Sequence, residues 1–413
     1  MKAISFCRPH SGGLYRVFES LRHGLAPFGV GLRWVAVGRS ASLGLKAVAT
    51  SEDLRVGEVV APEEDQSDRL ARILFDYVAS DCPDQVIFHV LGGGIETSLA
   101  RYLPEGVCRI LVVHSITPAT YRAARAVRDW VHATVAVSPR IRSDLVRLCG
   151  FDSRWTFAIL NAVDLDRYAD IVRDRPSAGP LRVLVHSRMD NSAKGILWVP
   201  KIVYQALHAG ANLELTVSGD GPDSLRLRER FAHFAFNGRV KFTGWTAAEK
   251  VPLLMAAHDV LLFPSRYEGL GLVLMEAMAA GCVPVASRIR GVTDFVVRDG
   301  EEGLLFPMGD LKAAANNLVR LDRDRTLLAR LSAVGRRAAA SRFGLANQAE
   351  EYWQVFQQVA ENPRPIKAPL PIARWEMPHL LQPGWWYPMP EGLKNTARVI
   401  RERWAPWLVR LAG

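Results

Sequence analysis

Between residues 264 and 284 the chain reads PSRYEGLGLVLMEAMAAGCVP, and its two carboxylates, Glu268 and Glu276, are spaced for paired work. An apolar run from Val260 to Phe263 leads in as a buried strand, and a helical stretch starts near Leu272. Gly269 and Gly271 flank Leu270 and let the backbone turn tightly and approach a ligand closely. The free N–H groups at the helix start point back at that turn and form a ready anion site. Glu268 then falls at the carboxyl end of the strand, with Glu276 about one helical turn further in. A diphosphate on the helix N-terminus would leave a carboxylate on either side for hydroxyl groups. That arrangement suits a sugar nucleotide, which is a sugar, two phosphates and a ribose in a row.

A second constellation lies in HSRMDNSAKG, where Arg188 and Lys194 follow another apolar strand. Two cations on one loop at a strand's carboxyl end can clamp a diphosphate. Near the N-terminus, Ser11-Gly12-Gly13 stands between the first strand and the first helix. The N–H groups of Gly12 and Gly13 could meet the same diphosphate from an opposite wall. Gly92-Gly93-Gly94 reads best as a plain turn.

The glutamate pair, with Pro264-Ser265 before it and Ala280-Gly281-Cys282-Val283-Pro284 after it, resembles the paired-glutamate motif of the family-4 retaining glycosyltransferases, which have the GT-B fold. The resemblance covers roughly residues 1 to 361 and is sharpest in the second half. Arg188 and Lys194 resemble the family's Arg…Lys-Gly pair, which neutralises the departing nucleotide, although Ser187 stands where the family commonly has glycine. Ser218-Gly219-Asp220-Gly221-Pro222 is similar to the family's strand-end Gly-Asp-Gly-Pro turn, and Lys241-Phe242-Thr243-Gly244-Trp245 to the segment beside the nucleobase. The resemblance thus implies that Gly219 and Gly244 let backbone groups reach the base. Trp245 either stacks on the base or packs against protein. His114 falls where the family often has a histidine near the transferred sugar; a hydrogen-bonded core histidine is the other reading. Asn161-Ala162-Val163-Asp164 resembles a turn that is mainly structural in the family.

What the resemblance implies is a bacterial retaining transferase. It would move a sugar from a nucleotide-diphosphate sugar to a glycan or lipid-linked acceptor in the synthesis of cell-surface polysaccharide, lipopolysaccharide or glycolipid. Glu276 would bind ribose hydroxyls, and Glu268 the hydroxyls of the donor sugar. His114 would orient that sugar. Arg188, Lys194 and the amides of Gly12, Gly13 and Leu272 would stabilise charge developing on the leaving diphosphate. No Asp-x-Asp sits at a plausible strand end, so no metal and no other cofactor is expected. A GT-B sugar-nucleotide epimerase is the alternative; release of an altered sugar nucleotide without acceptor would distinguish it.

Composition sets the frame for these motifs. A chain of 413 residues with 49% hydrophobic and 23% charged residues should form about two soluble globular domains. No apolar run approaches a membrane span, and MKAISFCRPH lacks the apolar core of a signal peptide, so a cytoplasmic protein is expected. Five scattered cysteines show neither disulfide nor zinc spacing. The net charge of +10 favours anionic partners, yet no nucleic-acid motif accompanies it. Arg122, Arg125, Arg128, Arg140, Arg142 and Arg147 form either a solvated helix face or a surface for anionic lipid or a phosphorylated acceptor.

To position the motifs, residues 1–170 alternate strands (2–6, 31–37, 85–90, 109–113, 133–138, 157–160) with helices. A polar linker occupies 171–180, and a second α/β series follows over 181–345, with strands at 181–186, 213–218, 240–242, 259–263 and 283–286. Such alternation predicts an α/β protein of two doubly wound, Rossmann-like domains facing a central cleft, the first on the acceptor side and the second binding the nucleotide sugar. Residues 346–361 read as a crossing helix. Residues 362–413 form a basic tail rich in Pro and Trp. It carries Trp375, Trp385, Trp386, Trp404 and Trp407, five of the eleven tryptophans. Two readings of the tail stand: a patch for an anionic membrane surface, which would make the protein peripheral on the inner face of the cytoplasmic membrane, or a strap packed on the domains.

Overall fold

The structure is a computed structural model and describes residues 1–10, 12–46, 49–90, 94–171, 179–234, 236, 238–382 and 389–404. Ser11, Gly92, Gly93, most of the 171–180 linker, Trp385, Trp386 and residues 405–413 therefore lie outside the described residues.

Two compact units divide the chain. The first comprises Met1–Ala162 with Leu345–Pro388, and the second Val163–Gly344 with Met389–Gly413. Seven strands build the first unit: β1 (Lys2–Phe6), β2 (Gly31–Val37), β3 (Gly57–Val60), β4 (Gln85–Val90), β5 (Cys108–Val113), β6 (Ala133–Ala136) and β7 (Thr156–Ala158). They form one parallel sheet in the order β3-β2-β1-β4-β5-β6-β7. The order reverses beside β1, so the loops after β1 and β4 diverge there and leave room for a ligand. The central strands are buried along almost their whole length, as expected of parallel strands covered on both faces. Helix Gly13–Leu25 lays Val17, Phe18, Leu21 and Leu25 inward and packs on helix Leu345–Glu361.

The second unit repeats the plan with β8 (Leu181–His186), β9 (Leu213–Ser218), β10 (Val240–Gly244), β11 (Val260–Phe263), β12 (Val283–Arg288) and β13 (Leu304–Pro307). Its parallel sheet runs β10-β9-β8-β11-β12-β13, with the reversal beside β8. Leu181, Val183, Leu213, Val260, Val285, Phe306 and Leu318 lie in one continuous core. Two strands of the structure, β3 and β13, have no counterpart in the sequence reading. Both are four-residue edge strands, too short to show a period, and each acquires its conformation from one paired neighbour.

The tail divides between the units. Residues 364–382 lie along the first one. Arg364 donates to the carbonyls of Arg128 and Val131, each at 3.2 Å. The Lys367 ammonium pairs with Asp129 at 2.9 Å. Trp130 Nε1 donates to Ala368 O, and Trp375 Nε1 to Ser98 Oγ at 3.0 Å. Glu376 N donates to Tyr102 Oη at 3.1 Å, and Arg122 donates to Gln382 O. This segment is a strap on protein, and Trp375 is spent inside it. The following helix, Glu391–Trp404, belongs to the second unit. No helix among the described residues is long and apolar enough to cross a membrane.

Candidate functional site

At the reversal of the second sheet, the loops after β8 and β11 meet. The β8 loop starts with Ser187, whose N–H bonds Ser218 O at 3.2 Å. It then sinks Met189 into the core, where Met189 N donates to Asp220 O and Met189 O accepts from Asp223 N, both at 2.9 Å. Arg188 is thereby fixed through its neighbour's backbone while its own side chain stays exposed. Asp190 caps the short helix Asn191–Lys194, its carboxylate accepting from Ser192 N and Ala193 N. Gly195, at φ +62°, ends that helix; a Cβ there would stand 2.2 Å from Pro264 O, so glycine is what lets the two loops touch.

The contact delivers Lys194 to Glu268. The ammonium lies 2.5 Å from Glu268 Oε1, with the two side chains 25% and 11% exposed. The same ammonium sits 5.6 Å from the centre of the Phe263 ring. Arg266 ties the loops a second time: its N–H donates to Ala193 O at 2.7 Å, its guanidinium donates to Asn191 O, and it stacks over Trp198 at 3.9 Å. Burial and the neighbouring Arg398 push its pKa down to about 10. Beyond Glu268, Gly269 is half-buried and Leu270 is buried. Gly271, at φ +91°, caps helix Leu272–Ala279 without a side-chain bond. Leu272 opens that helix, and Glu276 is buried on it.

On the other side of the reversal, Gly219 takes φ +126°, and a Cβ would stand 1.9 Å from Ser187 O. Its N–H donates to Gly244 O at 2.7 Å, which joins the ends of β9 and β10. Gly244 is left-handed at φ +70°, and Trp245 follows it 61% exposed. Arg188, Lys194, Gly219, Gly244, Trp245, Glu268, Gly269, Leu270, Gly271, Leu272 and Glu276 thus all stand at the carboxyl-terminal edge of one sheet or on the helix that follows. Cations and helix amides in such a place bind anions, and flanking carboxylates accept from hydroxyls.

In the first unit, Gly12 precedes helix Gly13–Leu25, and its N–H donates to His10 Nδ1 at 2.8 Å. That amide is engaged by the chain itself, and burial with nearby Arg8 lowers the His10 pKa, keeping the ring nitrogen an acceptor. Gly13 is the first residue of the helix. His114, just past β5, does not act alone. Its Nε2 lies 2.8 Å from His89 Nδ1, and His89 Nε2 lies 2.8 Å from Ser5 Oγ. Ser5 Oγ is in turn 3.5 Å from Cys7 Sγ. Burial lowers the His114 pKa to about 4 and drives His89 well below its ordinary value, so both rings are neutral at pH 7. A neutral His114 can orient a hydroxyl by hydrogen bonding but carries no charge to a reacting centre. A cavity of about 350 Å³ opens at the ends of β1 and β2, lined by Arg8, His10, Ser40 and Glu96 among others. Burial raises the Glu96 pKa.

Asp190, Asn191, Arg266, Ser5 and His89, which hold these loops and side chains in place, are not among the residues singled out from sequence. Asp190 had a signal, an Asp immediately before a helical turn. His89 had none, because only the β4–β5 register brings it beside His114.

Residues 180–324, the segment that carries this site, match the family described as Glycosyl transferases group 1. The chain is 31% identical over 142 residues to a lipopolysaccharide core biosynthesis glycosyltransferase of Rhizobium meliloti, covering 34% of this chain and 41% of the relative. It is 31% identical over 247 residues to a phosphatidyl-myo-inositol mannosyltransferase of Mycobacterium tuberculosis, covering 57% of this chain and 62% of the relative. The chain therefore spans less than two thirds of the length of these curated relatives. Among solved structures, Anabaena HepE in complex with UDP superposes with a TM-score of 0.70 at 18% identity, over 87% of this chain and all of the other. That likeness gives the fold, GT-B, with its two Rossmann-like domains.

Proposed function

We propose that the protein is a retaining glycosyltransferase that takes a sugar from a nucleotide-diphosphate donor and passes it to a glycan or lipid-linked acceptor of the bacterial cell surface. The observation that carries this reading is the Lys194–Glu268 pair at 2.5 Å, held where two strand-end loops meet beside the N-terminus of helix Leu272–Ala279. A cation and a carboxylate in contact can serve adjacent parts of one ligand. Lys194, with Arg188, neutralises the departing diphosphate, and Glu268 accepts from hydroxyls of the sugar being moved. Glu276, four residues into the helix, takes the ribose, and Trp245 offers its exposed face to the base. The first unit's own cavity, lined by Arg8, His10, Ser40 and Glu96 among others, carries polar groups suited to the hydroxyls of an acceptor. The relatives in lipopolysaccharide core and phosphatidylinositol mannoside synthesis support a cell-surface acceptor.

A thermal-shift panel of UDP, GDP, ADP and dTDP sugars tests the reading, because a ligand that binds only the folded state raises the melting temperature. A stabilising sugar nucleotide should then lose its sugar to an acceptor with the anomeric configuration kept. No shift with any of them, or release of an epimerised sugar nucleotide, would overturn the proposal.

Two corollaries follow from the same site. Arg188 and Lys194 supply two positive charges to the diphosphate, so transfer should proceed without a divalent cation. Activity is expected to survive exhaustive chelation; loss with EDTA and recovery with Mg²⁺ or Mn²⁺ would refute this. A lipid-linked acceptor would also place the protein on the cytoplasmic face of the membrane. Flotation with anionic liposomes, released at high salt, is the expected behaviour, and failure to float at low salt would remove the membrane from the proposal.

A further inference from the structure

The helix Glu391–Trp404 touches residues of the segments that follow four neighbouring strands, β8, β11, β12 and β13. Arg398 Nη1 donates to Ser192 O at 3.0 Å, on the short helix that ends at Lys194. Its guanidinium also stands 4.5 Å from the centre of the Tyr267 ring, the residue before Glu268. Val399 packs over Gly309 after β13, where an added Cβ would stand 3.5 Å from its Cγ1. Arg290, after β12, donates to Arg401 O at 3.4 Å and faces Glu402. Arg403 pairs with Asp310 at 3.2 Å.

Arg398 is the member of this set that touches both loops of the candidate site. It is held by its own helix, donating to Asn395 Oδ1 at 2.8 Å and lying 3.6 Å from Glu391, and it is 19% exposed. A guanidinium can hold this position because it is planar: one edge donates to a carbonyl while the face covers an aromatic ring. The Ser192 carbonyl is two residues from Lys194, and the Tyr267 ring is one residue from Glu268. Any slack between Ser192 and Tyr267 therefore becomes slack between Lys194 and Glu268.

Building on the transferase reading, we infer that Arg398 is a positioning residue, setting the geometry of the Lys194–Glu268 pair from the far end of the chain. The C-terminal helix would then be part of the catalytic apparatus without touching substrate. Misplacement of reacting groups by about 1 Å can cost up to about 10²-fold in rate. A loss near tenfold is expected for Arg398→Ala.

The test uses the full chain and the sugar nucleotide that the panel selects, with release of its nucleoside diphosphate as the measured rate. Arg398→Ala should lower kcat about tenfold, with KM for the donor changed less than about threefold and the melting temperature nearly unchanged. Arg398→Lys should recover little, since an ammonium cannot bond the carbonyl and cover the ring at once. Arg403→Ala, which breaks only the outer pair with Asp310, should match the native enzyme. Should Arg398→Ala not fold, Tyr267→Leu removes the ring from under the guanidinium and should show the same kcat loss, while Tyr267→Phe should not. Native kcat in Arg398→Ala or in Tyr267→Leu would overturn the inference, as would equal losses in Arg398→Ala and Arg403→Ala. Lys194→Ala, run beside them, separates the two levels. If it too leaves turnover intact, the transferase reading of the pair fails; if it alone collapses turnover, only the role of Arg398 fails.

Discussion

Lys194→Ala should lower turnover by about 10²-fold or more, the usual cost of removing a group that stabilises charge in the transition state. Two losses combine. The cation that faces the departing diphosphate disappears, and Glu268, only 11% exposed in its side chain, loses the partner 2.5 Å away that fixes its rotamer. Lys194→Arg is a poor substitute, because the ammonium reaches Glu268 past the Phe263 ring on a helix that ends against Pro264, leaving little room for a broad planar fork. Arg188→Ala should also fall by about 10²-fold, but with native stability, since its side chain is exposed and makes no hydrogen bond or ion pair among the described residues. Glu276→Ala should act differently, weakening donor affinity more than turnover. Steady-state kinetics with donor varied resolves these patterns. Near-native turnover in both cation variants would remove the leaving-group role from the β8 loop.

Acid should destabilise the first unit from about pH 6.5 downward, above the range in which most carboxylates titrate. Burial lowers the pKa of His114 and of His132 to about 4, and that of His89 well below its ordinary value. In the unfolded chain each takes up a proton near pH 6.5. Between about pH 6.5 and 4 the unfolded state therefore binds more protons than the folded one, and stability falls as pH falls. Above that window both states are neutral and the effect vanishes. A shift of this size on a single group is worth on the order of 3 kcal/mol, a large fraction of a domain's usual stability. Carboxylates act lower down: Asp129, held at about 2 by Arg128 and Lys367, loses its contribution only below the ordinary carboxylate range. Urea unfolding at a series of pH values should show a steep decline between pH 6.5 and 4.5. His132→Leu should flatten part of it, because His132 accepts from Arg109 N at 3.0 Å and does no work in the candidate site. A flat profile through that window would contradict the burial of these rings as neutral species.

The second unit's site was largely legible because its parts are local. A strand, a glycine turn and a helix start are contiguous in sequence, so the positions of Glu268, Gly271 and Glu276 follow from one another. Arg188 and Lys194 read equally well, since both sit on one loop after one strand. What joins those pieces is not local. Gly195 admits Pro264 O, Arg266 reaches back to Asn191, and Arg398 arrives from the end of the chain; none of this has a periodic or compositional trace. In the first unit the expectation for Gly12 meets a competing partner, the His10 ring, which a reading by spacing does not weigh. Likewise, His114 was visible as a strand-end histidine, while the row that neutralises it depends on β1, β4 and β5 lying side by side.

The order in which the chain is made differs from the order in which it can fold. The face of helix Gly13–Leu25 is closed by helix Leu345–Glu361, with Gly24 so near Ala349 that an added Cβ would stand 2.9 Å from its Cβ. Phe28 stacks on Trp353 at 5.5 Å. During synthesis the first 162 residues leave the ribosome long before that cover exists, while residues 163–344 emerge as one uninterrupted stretch. The second unit's sheet can therefore form while the first still waits with Phe18 and Leu21 uncovered. That interval is when a nascent chain of this kind depends most on chaperones. Circular permutation with the new start at Leu345 would supply that cover from the outset, whereas in the natural order the first unit is covered late and helix Glu391–Trp404 joins the second unit later still.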